Sequence, residues 1–282
     1  MIVLSVDTAH AACSVCVFDT VANRALALLS EPMQRGHAER LTDMVREAVA
    51  AADTGFSDID RLAACSGPGT FTGVRIGLAF VRGLALVLKV PAIGVTTFAA
   101  LAQSCRAEAA GRDIWVIQDA RRGEVYLQGF DGYGVPLQPA SVLAIAAAGK
   151  LLSDKSGLAA GSGVQLVDLP DDLNVADVSA VPDAALVARL AGQTEDADNA
   201  GAVPFYLRAA DAKAQSPLVR HRESDLSIEP ADTRYASVLA ALHQPCFEDA
   251  WDASAMAALL ATPGALAILA MQHTAGDKHP SG

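Results

Sequence analysis

The chain has 282 residues, with 32 acidic against 21 basic side chains and a formal net charge of −11. That acidity argues against a protein that grips nucleic acid by itself, because phosphate contacts supply most of such affinity. Hydrophobic residues make up 52% and the mean hydropathy is +0.30, enough for one large domain or two lobes. The longest uncharged apolar stretch, 253–276, is rich in alanine and broken by Pro263-Gly264, which excludes a bilayer span there.

The opening, Met1-Ile2-Val3-Leu4-Ser5-Val6-Asp7, lacks the basic start of a leader and runs directly into a strand pattern, so a cytoplasmic location is expected. Residues 2–7, 13–18 and 25–30 read as an antiparallel meander. Cys13 and Cys16 lie in its second strand, where odd spacing puts their side chains on opposite faces. With five cysteines in all and no leader, disulfides are not expected. A helix follows over 36–52, with Leu41, Met44, Val45, Ala48 and Val49 at helical spacing. Ile59 to Cys65 reads as a buried strand, Ser66 to Thr70 as a glycine-rich loop, and 71–89 as a second helix with Thr70 as its N-cap. A strand over 93–96 and a helix over 97–110 complete a first lobe, 1–105.

A second lobe, 106–210, opens with strands at 114–118 and 125–130 joined by a charged turn. A repeated α/β lobe suggests a two-lobed actin-like fold of the Hsp70 and sugar-kinase (ASKHA) type, on fold-level analogy alone. Residues 211–230 read as a linker, 231–242 and 253–260 as helices, 265–271 as a strand, and 272–282 as a disordered tail.

Three segments carry candidate chemistry. The first is the loop Gly67, Gly69, Thr70 and Thr72 with Asp7 and Thr8 of the first hairpin. A helix N-terminus behind such a loop suits an anion. A tight turn for close strand–helix packing explains the same glycines, and both readings stand. It is not a P-loop, since no Gly-Lys-Ser/Thr follows. The hairpin turn Ala9-His10-Ala11-Ala12 contains no glycine, which argues against a phosphate cradle. The second segment is the helix over 71–89. Its charges, Arg75, Arg82 and Lys89, form one narrow stripe, while Val74, Phe80, Val81 and Leu84 belong to an apolar surface covering most of the circumference. Gly73 and Gly77 permit close backbone approach. Either the helix is buried in its own domain, or one side meets a second subunit. The third is Asp119-Ala120-Arg121-Arg122-Gly123-Glu124, a solvated hairpin turn or a contact for a nucleotide or partner. Metal ligands are scarce. His37 begins the first helix, but Leu41 stands four residues on, and no metal site is expected in the first 210 residues.

Gly67-Pro68-Gly69-Thr70-Phe71-Thr72-Gly73-Val74-Arg75-Ile76-Gly77 resembles the GPGSFTGxRIG signature of the TsaB (YeaZ) family. Asp119 to Tyr126 resembles its DARRGEVY segment, and Asp7-Thr8, Ser14 and Tyr206-Leu207-Arg208 fit as well, so the likeness covers 1–213. The resemblance implies the actin-like fold and a non-catalytic scaffold subunit that binds and activates the paralogue TsaD. That complex transfers threonylcarbamoyl to N6 of the adenosine beside the tRNA anticodon. The resemblance also implies the ATPase TsaE as a further partner, a homodimer without TsaD, tRNA contact only through the complex, and no membrane. No intrinsic cofactor is implied, with ATP or ADP a candidate at the subunit junction. The partner surface is expected on the first two helices: His37, Leu41, Met44, Val45, Ala48, Gly73, Val74, Gly77, Phe80, Val81 and Leu84. Gly77→Arg or Val81→Glu is therefore expected to abolish pairing without unfolding the monomer. Some family members carry an M22 peptidase label, but no nucleophile–base pair supports proteolysis. The alternative is an actin-like ATPase or kinase using the Asp7 hairpin and the Gly67–Gly73 loop. Residues 231–271, with Cys246, Phe247 and Trp251, resemble the start of a RimI-type GNAT acetyltransferase, a partial α+β extension lacking the acetyl-CoA pyrophosphate loop.

Overall fold

The computed structural model describes residues 1–194, 201–208, 226–244, 251–261 and 267–272. Two compact units, Met1–Ala209 and Ala210–Gly282, divide the chain. The expectations placed on 211–225, on Cys246 and Phe247, and on 273–282 lie outside the described residues.

The first unit contains one α/β pattern twice. Strands β1 (Ile2–His10), β2 (Ala12–Asp19) and β3 (Arg24–Pro32) form the meander, and α1 (His37–Ala51) leads to β4 (Arg61–Gly67). Helix α2 (Phe71–Leu88) leads to β5 (Ala92–Thr96), and α3 (Thr97–Ala109) leaves the sheet. The spatial order is β3-β2-β1-β4-β5, with β1, β4 and β5 parallel. Strands β6 (Ile114–Arg121), β7 (Glu124–Phe130) and β8 (Ser141–Ala144), helix α4 (Ile145–Leu152), and strands β9 (Gly157–Ala160) and β10 (Leu173–Val175) follow. Their order, β10-β9-β6-β7-β8, repeats the first sheet strand for strand. This is the two-sheet actin-like architecture expected from the sequence. The last helix of the unit, α5 (Ala184–Gln193), packs back on β1, β2 and β4, while α3 packs on β6 and β9. The chain therefore crosses between the sheets twice, and residues 184–193, expected in the second lobe, build the core of the first.

The strand patterns follow from these positions. Central β1 is buried along Val3–Ala9 because a sheet covered on both faces buries every side chain. Edge strand β3 alternates in exposure. The apolar stripe of α1, made of Leu41, Met44, Val45, Ala48 and Val49, is buried against the meander. Helix α2 is long and apolar enough to cross a bilayer by length and composition. It lies on β1 and β4, with Val74, Leu78 and Val81 buried and Arg75 and Arg82 exposed.

In the second unit, β11 (Leu226–Ala231) pairs antiparallel with β12 (Ala267–Gln272), and α6 (Ala236–His243) and α7 (Ala253–Leu260) lie between them in sequence. Residues 226–230, expected at the end of a linker, are thus strand, and Gln272, expected in the tail, closes β12. Ladder pairing with a distant strand supplies order that local polarity does not reveal.

Candidate functional site

The glycine-rich loop rides directly on the first hairpin. Thr70 N donates to Ala9 O at 2.7 Å, and Thr8 Oγ1 donates to Gly73 O at 2.7 Å. A Cβ on Gly69 would lie 2.5 Å from Ala9 O, and one on Gly73 closer still to Thr8 O. One on Gly77 would meet Thr8 Oγ1 at 2.9 Å. Both glycine spacings are thus used for close backbone approach between α2 and β1. The Thr70 side chain caps α2 by accepting from Gly73 N at 3.2 Å. Thr70 N and Gly73 N, two of the donors that an anion would need, already have partners in the chain. Close packing accounts for the loop's glycines.

Asp7 ends the regular part of β1 and is buried at 3% exposure. A register shift between Asp7 and His10 breaks the ladder. The carboxylate accepts from Ala9 N at 2.7 Å, and its other oxygen faces His10 Nδ1 at 3.3 Å. Cys65, at the end of the neighbouring strand β4, is buried beside them, and its thiol is pushed above the ordinary range first by burial and then by the Asp7 carboxylate. Thr97 Oγ1 stands 3.2 Å from the Cys65 sulfur and donates to Pro68 O at 2.7 Å. One ligand-capable atom from each of Asp7, His10 and Cys65 lies within 4.8 Å of the others. The sequence reading found no metal ligands here. Cys65 is remote in sequence, and only the bulge turns His10 back towards Asp7.

The charged turn of the second sheet is the counterpart of this hairpin. Asp119 ends the regular part of β6 at a register shift of its own. Arg121 N donates to Asp119 Oδ1 at 2.7 Å, and Arg121 Nη1 pairs with Asp119 Oδ2 at 3.1 Å. Arg121, Arg122 and Gly123 all adopt positive φ, which tightens the turn into β7. The two turns face a cleft of about 900 Å³ bordered by His10, His37, Gly69, Thr72, Asp119 and Arg121. His37 is buried and its Nε2 lies 3.2 Å from His10 O.

The segment 201–208 joins both sheets to these motifs. Arg75 Nε donates to Tyr206 OH at 2.8 Å. The Arg75 guanidinium lies 3.6 Å above the Phe71 ring centroid, and Phe71 stacks on Tyr206 at 5.7 Å. Two residues on, Arg208 pairs with Glu124 and donates to Ala120 O at 3.1 Å. Arg75, Glu124, Tyr206 and Arg208 belong to three separate motifs, and only the fold shows that they meet.

The residues expected at a partner surface divide. Leu41, Met44, Val45, Ala48, Gly73, Val74, Gly77 and Val81 are buried within the chain itself. Their periodicity reports the inward faces of α1 and α2, since an inward stripe and a partner-facing stripe have the same spacing. Phe80 and Leu84 are partly exposed. The open apolar face of α2 continues through Ala79 and Gly83 to Leu86 at 83% and Val87 at 74% exposure. Gly77→Arg and Val81→Glu therefore test the core, and the expectation that they leave the monomer folded is corrected.

A family model described as "TsaD: tRNA N6-adenosine threonylcarbamoyltransferase" matches residues 29–269. The tRNA threonylcarbamoyladenosine biosynthesis protein TsaB of Escherichia coli K12 is 39% identical over 127 residues, 45% of this chain and 53% of that protein. The chain spans about half the length of the curated TsaB relatives it matches, 51% to 58% in four of them. An uncharacterized protein of Mycobacterium tuberculosis H37Rv is 31% identical over 217 residues, 75% of this chain and 93% of that one. The solved structure of YeaZ from Pseudomonas aeruginosa superposes with a TM-score of 0.63 at 30% identity, covering 73% of this chain and 99% of that one.

Proposed function

The chain belongs to the TsaB (YeaZ) group of the TsaD family, and on that premise we propose that it is a scaffold subunit acting in tRNA threonylcarbamoyladenosine biosynthesis. In this reading it binds a TsaD-type paralogue and activates it, in the cytoplasm, without carrying the transfer chemistry itself. The observation that supports it is the open apolar face of α2, with Leu86 at 83% and Val87 at 74% exposure on an otherwise ordered helix. Apolar surface gathered on one face of a helix favours association, because covering it removes the cost of hydrating it. Arg75 and Arg82 on the exposed side of the helix would set the register of the contact. TsaE, a homodimer formed when TsaD is absent, and ATP or ADP at the junction belong to the same proposal. Contact with tRNA through the complex fits a net charge of −11.

The position four residues after His37 supports a subunit without a metal pair on its first helix, since Leu41 there is 1% exposed and packed in the core. Proteolysis has no support among the described residues. The described cysteines are buried, and Cys65, the one beside His10, has its thiol pushed up by burial, which disfavours the nucleophilic thiolate. The deciding experiment is co-purification with TsaD from the same organism, followed by a tRNA modification assay with and without this chain. Modification that depends on the chain supports the reading. Full modification by TsaD without it refutes the reading, as does tight Mg-ATP binding with turnover by the chain alone.

A further inference from the structure

We propose that Asp7, His10 and Cys65 form a binding site for one zinc-type divalent ion beside the cleft, where His10 borders it. Their ligand-capable atoms already lie within 4.8 Å of one another. Bonds of about 2.0–2.3 Å at tetrahedral angles set ligand atoms roughly 3.3–3.8 Å apart. The Asp7–His10 separation of 3.3 Å matches that spacing as it stands.

The backbone is arranged for this meeting. In a regular strand, residues three apart point to opposite faces. The register shift between Asp7 and His10 brings both side chains to one side, and bulges re-aim side chains in this way beside functional sites. Parallel pairing of β1 with β4 sets Val6 opposite Ala64, so the next residues, Asp7 and Cys65, follow side by side on adjacent strands. His10 has bonding capacity to spare. Its Nε2 is buried and has no partner, while its Nδ1 already faces Asp7. The donor set also fits the ion. One imidazole, one carboxylate and one thiolate suit a borderline-soft divalent cation better than a hard one. On binding, the Cys65 thiol gives its proton to solvent and the sulfur bonds the metal, so carboxylate and thiolate together cancel the ion's two charges. A neutral cluster suits a site where Asp7 is 3% and Cys65 2% exposed. Among the described residues the ion pairs of Asp7 are with His10 alone, so no Lys or Arg competes for that role. Three protein ligands leave a fourth position, on the side where His10 borders the cleft.

The test uses the full chain, stripped with a chelator and titrated with Zn²⁺ against a chromophoric chelator, then repeated with Co²⁺. We expect one saturable equivalent, a thiolate-to-cobalt charge-transfer band and the visible bands of a tetrahedral ion. Cys65→Ala and His10→Ala should each weaken binding at least about tenfold, and Cys65→Ala should abolish the charge-transfer band, while Cys105→Ala, in a separate part of the core, binds as the parent does. The cobalt spectrum of the parent needs no variant, so a misfolded substitution leaves it decisive. Absence of saturable binding overturns the proposal. So does a cobalt spectrum without thiolate charge transfer, or unchanged affinity in folded Cys65→Ala.

Discussion

Asp7 and Asp119 hold equivalent places in the two sheets. Each ends the regular part of its sheet's first strand at a register shift, and each accepts a hydrogen bond at 2.7 Å from the backbone N–H two residues on. The repeated strand order carries the same turn into both halves, so the two turns meet across the cleft. The surroundings differ. Asp7 is buried beside His10 and Cys65, whereas Asp119 is paired with the exposed Arg121.

The glycines of the loop should behave according to what surrounds them. Gly69→Ala and Gly73→Ala force a Cβ into Ala9 O and Thr8 O, and each should cost roughly 1–3 kcal/mol, as overpacking does. Gly83 has nothing within 4 Å of its Cβ position, so Gly83→Ala in the middle of α2 should stabilise by about 0.5–1 kcal/mol. Urea denaturation of the three variants checks the opposite signs.

Substitutions on α2 should separate core from surface. Val81 is 0% exposed, and Val81→Glu should destabilise by about 3 kcal/mol or more through a buried unpaired charge. Gly77→Arg meets Thr8 and should do the same. Leu86→Glu, at an exposed position, should change stability by no more than about 0.5 kcal/mol. Thermal melts read the difference.

Burial raises the Cys13 thiol from its ordinary 9.0 to about 11, with nearby Glu31 and Asp7 adding to the rise. Burial likewise raises Cys16 to about 12, with Asp183 contributing. A folded pKa above the unfolded one means that the folded chain keeps its proton when the unfolded chain has lost it. The stability from this source is therefore complete below pH 9.0 and drains away as pH rises towards 11 and 12. Equilibrium unfolding should show that alkaline decline. Native alkylation at neutral pH should leave Cys13, Cys16, Cys65 and Cys105 protected until denaturant is added.

The strap formed by 201–208 should be worth little per bond. Arg208 and Glu124 are 24% and 40% exposed at the side chain, so their coupling in a double-mutant cycle should be about 0.5–1 kcal/mol after solvent screening. Tyr206→Phe removes the hydroxyl that accepts from Arg75 and should cost about 0.5–1.5 kcal/mol.

Much of the fold was legible because apolar periodicity is a local signal. The meander, α1, α2 and the turn before β7 lie within a few residues of their expected bounds. β4, expected from Ile59, begins at Arg61, although Asp60 already meets Ile2, accepting from Ile2 N at its carboxylate at 2.7 Å and donating its own N–H to Ile2 O at 2.9 Å. The return of α5 to the first sheet was not legible, since nothing in the pattern of Ala184–Gln193 says which sheet its apolar face will cover. The site divides in the same way. The glycine loop and the Asp119 turn were visible as motifs. The convergence of Arg75 with Tyr206 spans 131 residues, and that of Glu124 with Arg208 spans 84. Both depend on tertiary packing alone, as does the meeting of Cys65 with Asp7.

The measurement closest to the central claim is the affinity of this chain for TsaD from the same organism, titrated with the parent and with Leu86→Glu and Gly83→Arg after melts confirm that both variants are folded. The parent should form a stable complex, and each variant should lose at least about a hundredfold in affinity, as expected for a charge placed in a desolvated apolar contact. Folded variants that bind TsaD as tightly as the parent would contradict that claim.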